Sequence, residues 1–286
     1  MTEFCFDKVT VIGAGTMGRG IAQVCAASGS QVQLVDIDAA AAQAGRDAIE
    51  GSLGRAVEKG KVSTEDRDKT LAAIVATGKV DEAVASADVL VEAALEDIGL
   101  KRKLFADFAK GAPAHCLLGT NTSSLSITEI ARDSGAEDRI VGLHFFNPVP
   151  VMKLVEVVRG NDSSQEAVEA SLEFSKRLGK DPILVRDSPG FATSRLGVLL
   201  GLEAMRMVEE EVASPGDIDK ALELGYRHPM GPLKLTDLVG LDVRLAIADH
   251  LHEELGTDTF KAPQLLRDMV AAGKLGRKSG EGFYTY

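Results

Sequence analysis

Gly13-Ala14-Gly15-Thr16-Met17-Gly18 is the stretch that decides the fold. The residues before it, Val9-Thr10-Val11-Ile12, are all β-branched and read as a strand, while residues 17–28 read as a helix. In a strand–turn–helix each glycine has a mechanical task. The first makes the tight turn, the second lets a pyrophosphate approach the backbone, and the third lets the helix lie close to the strand. The helix start presents unpaired N–H groups and a positive dipole end to the same turn. A second strand, residues 32–35, ends at Asp36, whose carboxylate can accept hydrogen bonds from an adenosine ribose. Glycine spacing, flanking elements and that acidic residue together read as a dinucleotide site, with Gly13, Gly15, Thr16, Met17, Gly18 and Asp36 as cofactor-binding candidates. The charge on Asp36 would repel a 2′-phosphate, so NAD is expected rather than NADP. Asp38 is the better candidate to cap the helix that follows.

Outward from this stretch, a long Ala-rich helix follows residue 36, and further strands are predicted at 89–93 and 116–119. Strands interleaved with helices imply βαβ units and a parallel sheet. Residues 140–145, 154–158 and 183–185 add three strand-like runs with only one long helix, 164–178, among them; these are expected to close the sheet. After Asp187-Ser188-Pro189-Gly190 the pattern turns helical, with helices predicted at 195–211, 215–224, 241–255 and 263–272 and a short strand only at 282–284. The expected fold class is therefore α/β: a Rossmann-type, mostly parallel sheet domain over 1–187, then an all-α C-terminal domain over 188–286.

The 286 residues suffice for two ordinary cores. A net charge of -11 disfavours nucleic acid and anionic membranes as partners, and any anionic ligand would need a local cationic patch. No run of about 18 apolar residues predicts a membrane span. The N-terminus has no basic n-region, so no signal peptide is expected. Three scattered cysteines, Cys5, Cys25 and Cys116, show neither metal-ligand spacing nor a disulfide framework, as suits a reducing cytoplasm. No metal site is expected.

Three further segments carry a resemblance: Asn121-Thr122-Ser123-Ser124-Leu125, Gly142-Leu143-His144-Phe145-Phe146-Asn147-Pro148 and Leu154-Val155-Glu156-Val157-Val158. With the glycine loop and the tail Gly280-Glu281-Gly282-Phe283-Tyr284, the whole chain resembles the L-3-hydroxyacyl-CoA dehydrogenase family, and is especially similar to its bacterial members that act on 3-hydroxybutyryl-CoA. The resemblance implies an oxidoreductase of fatty-acid β-oxidation type. Such an enzyme moves a hydride between NAD and the 3-hydroxyl of an (S)-3-hydroxyacyl-CoA. It also implies a helical C-terminal domain that mediates homodimerisation and closes over the substrate.

Alcohol oxidation needs a base, and neutral imidazole, with an ordinary pKa of about 6.5, suits that task. His144 follows a strand, at the carboxyl edge where open α/β sheets bind ligands. The resemblance gives Glu156 the task of orienting that imidazole and stabilising its charged form. Read alone, His144 would be a structural histidine and Glu156 a surface one. His115, His228, His250 and His252 have poorer context and are expected to be structural or exposed. The resemblance also implies that Ser123 hydrogen-bonds the substrate oxygen, that Asn147 lies near the nicotinamide ribose, and that Glu96 and Lys101 lie near the ribose and nicotinamide. It places Ser52 and Lys59 against the 3′-phosphate end of coenzyme A. Arg55 lies between them, and residues 52, 55 and 59 share one face of a helix. The chain departs from the family at Ser194, where an asparagine usually helps hold the catalytic histidine and substrate carbonyl; serine is shorter but still a donor and acceptor.

Two other readings compete. One is a dehydrogenase of a free hydroxy acid or sugar acid on the same frame, against which the Ser52–Lys59 patch argues. The other is a non-enzymatic protein that keeps the cofactor fold, against which Gly13 to Gly18, Asp36, Ser123, His144 and Glu156 together argue. The acyl chain could be short, long or dicarboxylic.

Overall fold

The structure is a computed structural model and describes residues 5–286. The chain divides into two compact units, one running through Ser188 and the other Pro189–Tyr286.

The first unit is built on strands β1 (Lys8–Ile12), β2 (Gln31–Val35), β3 (Ile74–Thr77), β4 (Val89–Glu92), β5 (Leu117–Thr120), β6 (Ile140–Phe145), β7 (Leu154–Arg159) and β8 (Asp181–Arg186). They form one sheet of order β3-β2-β1-β4-β5-β6-β7-β8. β1 to β6 are mutually parallel; β7 runs antiparallel to β6, and β8 parallel to β7. Strands covered on both faces read as continuous apolar runs, and all of β4, β5 and β6 is buried. Edge strand β8 is mostly exposed. Helices α1 (Thr16–Ala27), α2 (Ala39–Glu58), α3 (Thr64–Ala72), α4 (Val80–Ala85), α5 (Ile98–Gly111), α6 (Ile127–Ala131) and α7 (Gln165–Arg177) connect the strands. The core joins Val11, Ile21, Leu34, Val91, Leu143, Val157 and Phe174.

The second unit holds α8 (Thr193–Glu209), α9 (Pro215–Gly225), α10 (Pro232–Val239), α11 (Leu241–Leu255) and α12 (Gln264–Ala271). Leu202, Met205, Leu233, Leu241, Leu251 and Leu266 form its core. Buried Asp237 accepts the N–H groups of Phe283 (2.9 Å) and Tyr284 (3.0 Å), which fastens the tail to α10. No helix among the described residues is long and apolar enough to cross a membrane.

The fold holds short elements that the sequence reading did not place, among them α3, α4 and α6. β3 and α10 were not expected. The predicted strand at 282–284 is instead a pair of isolated bridges, Gly276–Glu281 and Glu281–Thr285, because these short turns of tail have no neighbouring strand to extend.

Candidate active site

The carboxyl ends of β1, β2, β4, β5 and β6 come out on one edge of the sheet, which is where a parallel sheet leaves room for a ligand. The glycine turn lies there. Gly13 has φ +98°, and a Cβ on it would stand 2.5 Å from the Ala93 carbonyl oxygen. A Cβ on Gly18 would stand 1.7 Å from the Gly13 oxygen, so only glycine lets α1 approach the turn this closely. Gly15 is different: nothing lies within 4 Å of where its Cβ would be. Gly15 is also the N-cap of α1, no side chain caps that helix, and its first turn holds no acidic residue. The opening is therefore backbone-lined and electropositive. Thr16 begins the helix, and Met17 packs against the core.

Asp36 stands beside this turn. Its Oδ2 accepts the Ala14 N–H at 2.6 Å and its Oδ1 the Ile37 N–H at 2.7 Å. Each carboxylate oxygen keeps a second lone pair for a ribose hydroxyl. Asp38, not Asp36, caps α2, accepting from Ala41 N–H at 2.7 Å. An open Gly15, an uncapped helix start and an adjacent carboxylate together fit a dinucleotide without a 2′-phosphate.

His144 and Glu156 face each other across the β6–β7 ladder, which pairs these two residues directly. The His144 Nδ1 to Glu156 Oε2 distance is 2.7 Å, Glu156 is fully enclosed and the His144 side chain is 9% exposed. A carboxylate accepts, so Nδ1 carries the hydrogen and the basic lone pair falls on Nε2. The Phe146 ring lies 4.4 Å from the imidazole, centroid to centroid, and limits its rotation.

Ser123 lies in the turn after β5, tied to Glu96 from the loop after β4. Glu96 Oε1 accepts from the Thr122 hydroxyl (2.6 Å), the Ser123 N–H (2.9 Å) and the Ser123 hydroxyl (3.4 Å). Burial works against the charge on Glu96. The Thr122 hydroxyl, the Lys101 ammonium and the Ser123 N–H outweigh it and hold the carboxyl below its ordinary range. Lys101 is enclosed, with 1% of its side chain exposed, and its Nζ lies 2.7 Å from Glu92 Oε1 and 3.4 Å from Glu96 Oε2. Its ammonium is turned onto these two carboxylates.

Asn147, after β6, lines a groove of about 140 Å³ together with Thr16, Arg19, Gln23, Ser52 and Pro150. The structure thus brings Ser52 of α2 to the same groove as two cofactor candidates. Arg55 and Lys59 stand exposed. Lys59 is the C-cap of α2, one residue past its end, so the three-residue face predicted on one helix is a helix face plus its cap. Ser194 lies in the first turn of α8 and belongs to the second unit. Of the other histidines, His115 Nε2 is 3.3 Å from Asp88, and His252 Nδ1 is 2.8 Å from the Thr257 carbonyl oxygen.

Sequence reading missed Glu92, Thr122 and Asn121, whose Oδ1 accepts the Phe145 N–H at 2.9 Å next to His144. A carboxylate closing the apolar run Val89-Leu90-Val91 was the available signal for Glu92.

Two family models cover the chain. One is the NAD binding domain of 3-hydroxyacyl-CoA dehydrogenase, over residues 8–188, and the other is the C-terminal domain of the same enzyme, over 190–286. A probable 3-hydroxybutyryl-CoA dehydrogenase of Bacillus subtilis is 42% identical, with 98% of this chain and 97% of that protein aligned. The human mitochondrial hydroxyacyl-coenzyme A dehydrogenase is 45% identical over 97% of this chain and 90% of its own length. The crystal structure of the (S)-3-hydroxybutyryl-CoA dehydrogenase from Ralstonia eutropha superposes with a TM-score of 0.94 at 42% identity, covering 99% of both chains.

Proposed function

The chain belongs to the 3-hydroxyacyl-CoA dehydrogenase family, and from that premise we propose how its own residues carry the reaction. It is an NAD-dependent dehydrogenase that interconverts an (S)-3-hydroxyacyl-CoA and the 3-oxoacyl-CoA. The acyl group we assign is the short 3-hydroxybutyryl chain, named for two of the relatives above.

NAD, when bound, would supply the acceptor for the hydride that leaves C3. His144 Nε2 takes the hydroxyl proton, so the C3–H and O–H bonds both break as the C=O forms. Glu156, enclosed and 2.7 Å from Nδ1, fixes the tautomer and stabilises the imidazolium that results. Ser123 donates to the substrate oxygen, where charge develops in the reverse direction. Asp36 accepts from the adenosine ribose, the Gly15 opening admits the pyrophosphate, and Asn147 and Glu96 serve the nicotinamide end. Ser52, Arg55 and Lys59 serve the phosphates of coenzyme A, and Ser194 is the sequence counterpart of the family's asparagine.

The observation that carries this reading is the direct cross-strand His144–Glu156 pair at the sheet edge that holds the glycine turn. The test is reduction of acetoacetyl-CoA by NADH, followed by absorbance. His144→Ala should lose at least about a hundredfold in turnover while NADH affinity stays within a factor of two. Turnover that survives the substitution overturns the assignment of the base. Free acetoacetate assayed alongside tests the hydroxy-acid alternative.

Two further assignments belong to the same reading. Leu196 (61% exposed) and Leu200 (41% exposed) stand one turn apart on α8, an apolar stripe that a second copy would cover in a homodimer. Sedimentation of the purified chain tests it. A cytoplasmic location agrees with free Cys5, Cys25 and Cys116.

A further inference from the structure

Glu92 ends β4 and is fully enclosed. A buried carboxylate persists only where partners compensate its desolvation, and each of its oxygens is occupied. Oε1 accepts the Ala94 N–H at 2.6 Å and the Lys101 ammonium at 2.7 Å; Oε2 accepts the Thr120 hydroxyl at 2.7 Å. These three donors come from the loop after β4, from α5 and from β5. Glu92 thus ties the loop after β4 and α5 to β5, the strand that leads into the Ser123 turn.

Lys101 carries the link onward. With 1% of its side chain exposed it has no bulk water to lean on, and its second carboxylate is Glu96, at 3.4 Å. Glu96 in turn holds the Thr122 hydroxyl and the Ser123 N–H. We propose that Glu92 is a positioning residue for the reaction: it sets where the Lys101 ammonium sits, Lys101 sets the charge and aim of Glu96, and Glu96 holds the turn that presents Ser123. The proposal rests on the reading of Ser123 and Glu96 given above.

The unequal distances define the division of labour. The short contact goes to Glu92 and the long one to Glu96, so Glu96 keeps one oxygen wholly for the turn. If Glu92 loses its charge, the ammonium has only Glu96 left in reach and draws that carboxylate off Thr122 and Ser123. Loss of the ammonium instead removes one of the partners that, with the Thr122 hydroxyl and the Ser123 N–H, offset the burial of Glu96. Either way the effect passes through Glu96.

The test is a double-mutant cycle of Glu92→Gln and Glu96→Ala on the full chain, with kcat/KM for acetoacetyl-CoA, NADH affinity by fluorescence and the thermal midpoint measured for all four proteins. Glu92→Gln should lower kcat/KM at least tenfold where Glu96 is present, and less than threefold further once Glu96 is alanine. NADH affinity should show the same non-additivity. A loss of equal size in both backgrounds, or none in a folded Glu92→Gln, overturns the proposal. Should Glu92→Gln fail to fold, Glu92→Asp, which keeps a buried charge opposite Lys101 but shortens its reach by one methylene, replaces it in the same cycle with the same criteria. Wild-type turnover reports separately on the proposed function, and the NADH cycle reports on Glu92 whatever the substrate.

Discussion

Replacing Glu156 by glutamine keeps its shape and removes its charge. The carboxylate oxygen is 2.7 Å from His144 Nδ1, and Glu156 is fully enclosed, so no solvent would take over its function. Unit charges about 4 Å apart interact by about 4 kcal/mol at an effective dielectric of 20. The imidazolium exists only after proton transfer, so this attraction acts mostly on the transition state and product side. Partial charge transfer at the transition state leaves about 3 kcal/mol of it to lose, or roughly two decades in rate. Glutamine adds a second fault, since its amide can donate to Nδ1 and move the hydrogen to Nε2, the atom that must act as base. Glu156→Gln should therefore lower kcat by roughly 10² to 10³. In the oxidation direction, where the imidazolium is the product form, KM for 3-hydroxybutyryl-CoA and NAD affinity should change little, because Glu156 is placed to contact neither ligand. Stopped-flow hydride transfer at 340 nm, with NADH fluorescence and thermal denaturation as controls, measures each quantity. A folded Glu156→Gln that retains a kcat within threefold of wild type would refute the electrostatic argument.

The second and third glycines of the turn should separate binding from folding. Gly15→Ala meets nothing within 4 Å and should keep the thermal midpoint but weaken NADH at least tenfold; unchanged affinity would deny that phosphate passes there. Gly18→Ala puts a methyl 1.7 Å from the Gly13 oxygen, and should cost about 3 kcal/mol of stability as well as cofactor binding, read by denaturation. Asp36→Ala removes both a ribose acceptor and the clamp on Ala14 N–H, so NADH should weaken while the preference for it over NADPH shrinks; an unchanged ratio of kcat/KM values would refute the charge argument. Burial, and then the hydrogen bond to Asp219, push the Tyr284 hydroxyl above its ordinary range. The folded chain thus keeps a proton that the unfolded chain releases near pH 10, so this stabilisation is complete below pH 10 and is lost as pH rises beyond it. Tyr284→Phe should flatten that alkaline slope in denaturation measured from pH 8 to 11.

What could be read in advance follows from where the controlling forces lie. The glycine turn was legible because local backbone geometry demands glycine at fixed spacing. The strands of the sheet centre were legible because burial on both faces leaves unbroken apolar runs. β3 escaped notice because it has four residues at a sheet edge, and Val75 is 57% exposed, so burial left little pattern. α10 escaped because Gly231-Pro232 reads as a turn; in the fold Pro232 opens the helix, where its missing N–H is no loss. The Glu92–Lys101 pair is tertiary in origin: it joins the end of β4 to α5, and nothing in either segment names the other as its partner.

The catalytic pair depends on the one place where the sheet abandons its parallel rule. Residues 146–153 join β6 to β7, too short a link for the crossover of a dozen or more residues that parallel neighbours need. β7 must therefore turn back beside β6, and antiparallel pairing sets side chains directly opposite one another on the same face. Register then decides the chemistry. With His144 opposite Glu156 the carboxylate reaches Nδ1, whereas a slip of one residue would carry it to the other face of the sheet and bring Val155 or Val157 to the imidazole. Val155 and Val157 are themselves fully buried in the core on that other face, so apolar packing holds the register that the acid–base pair requires. The valines flanking Glu156 are in this sense part of the active site, although neither touches a reacting atom.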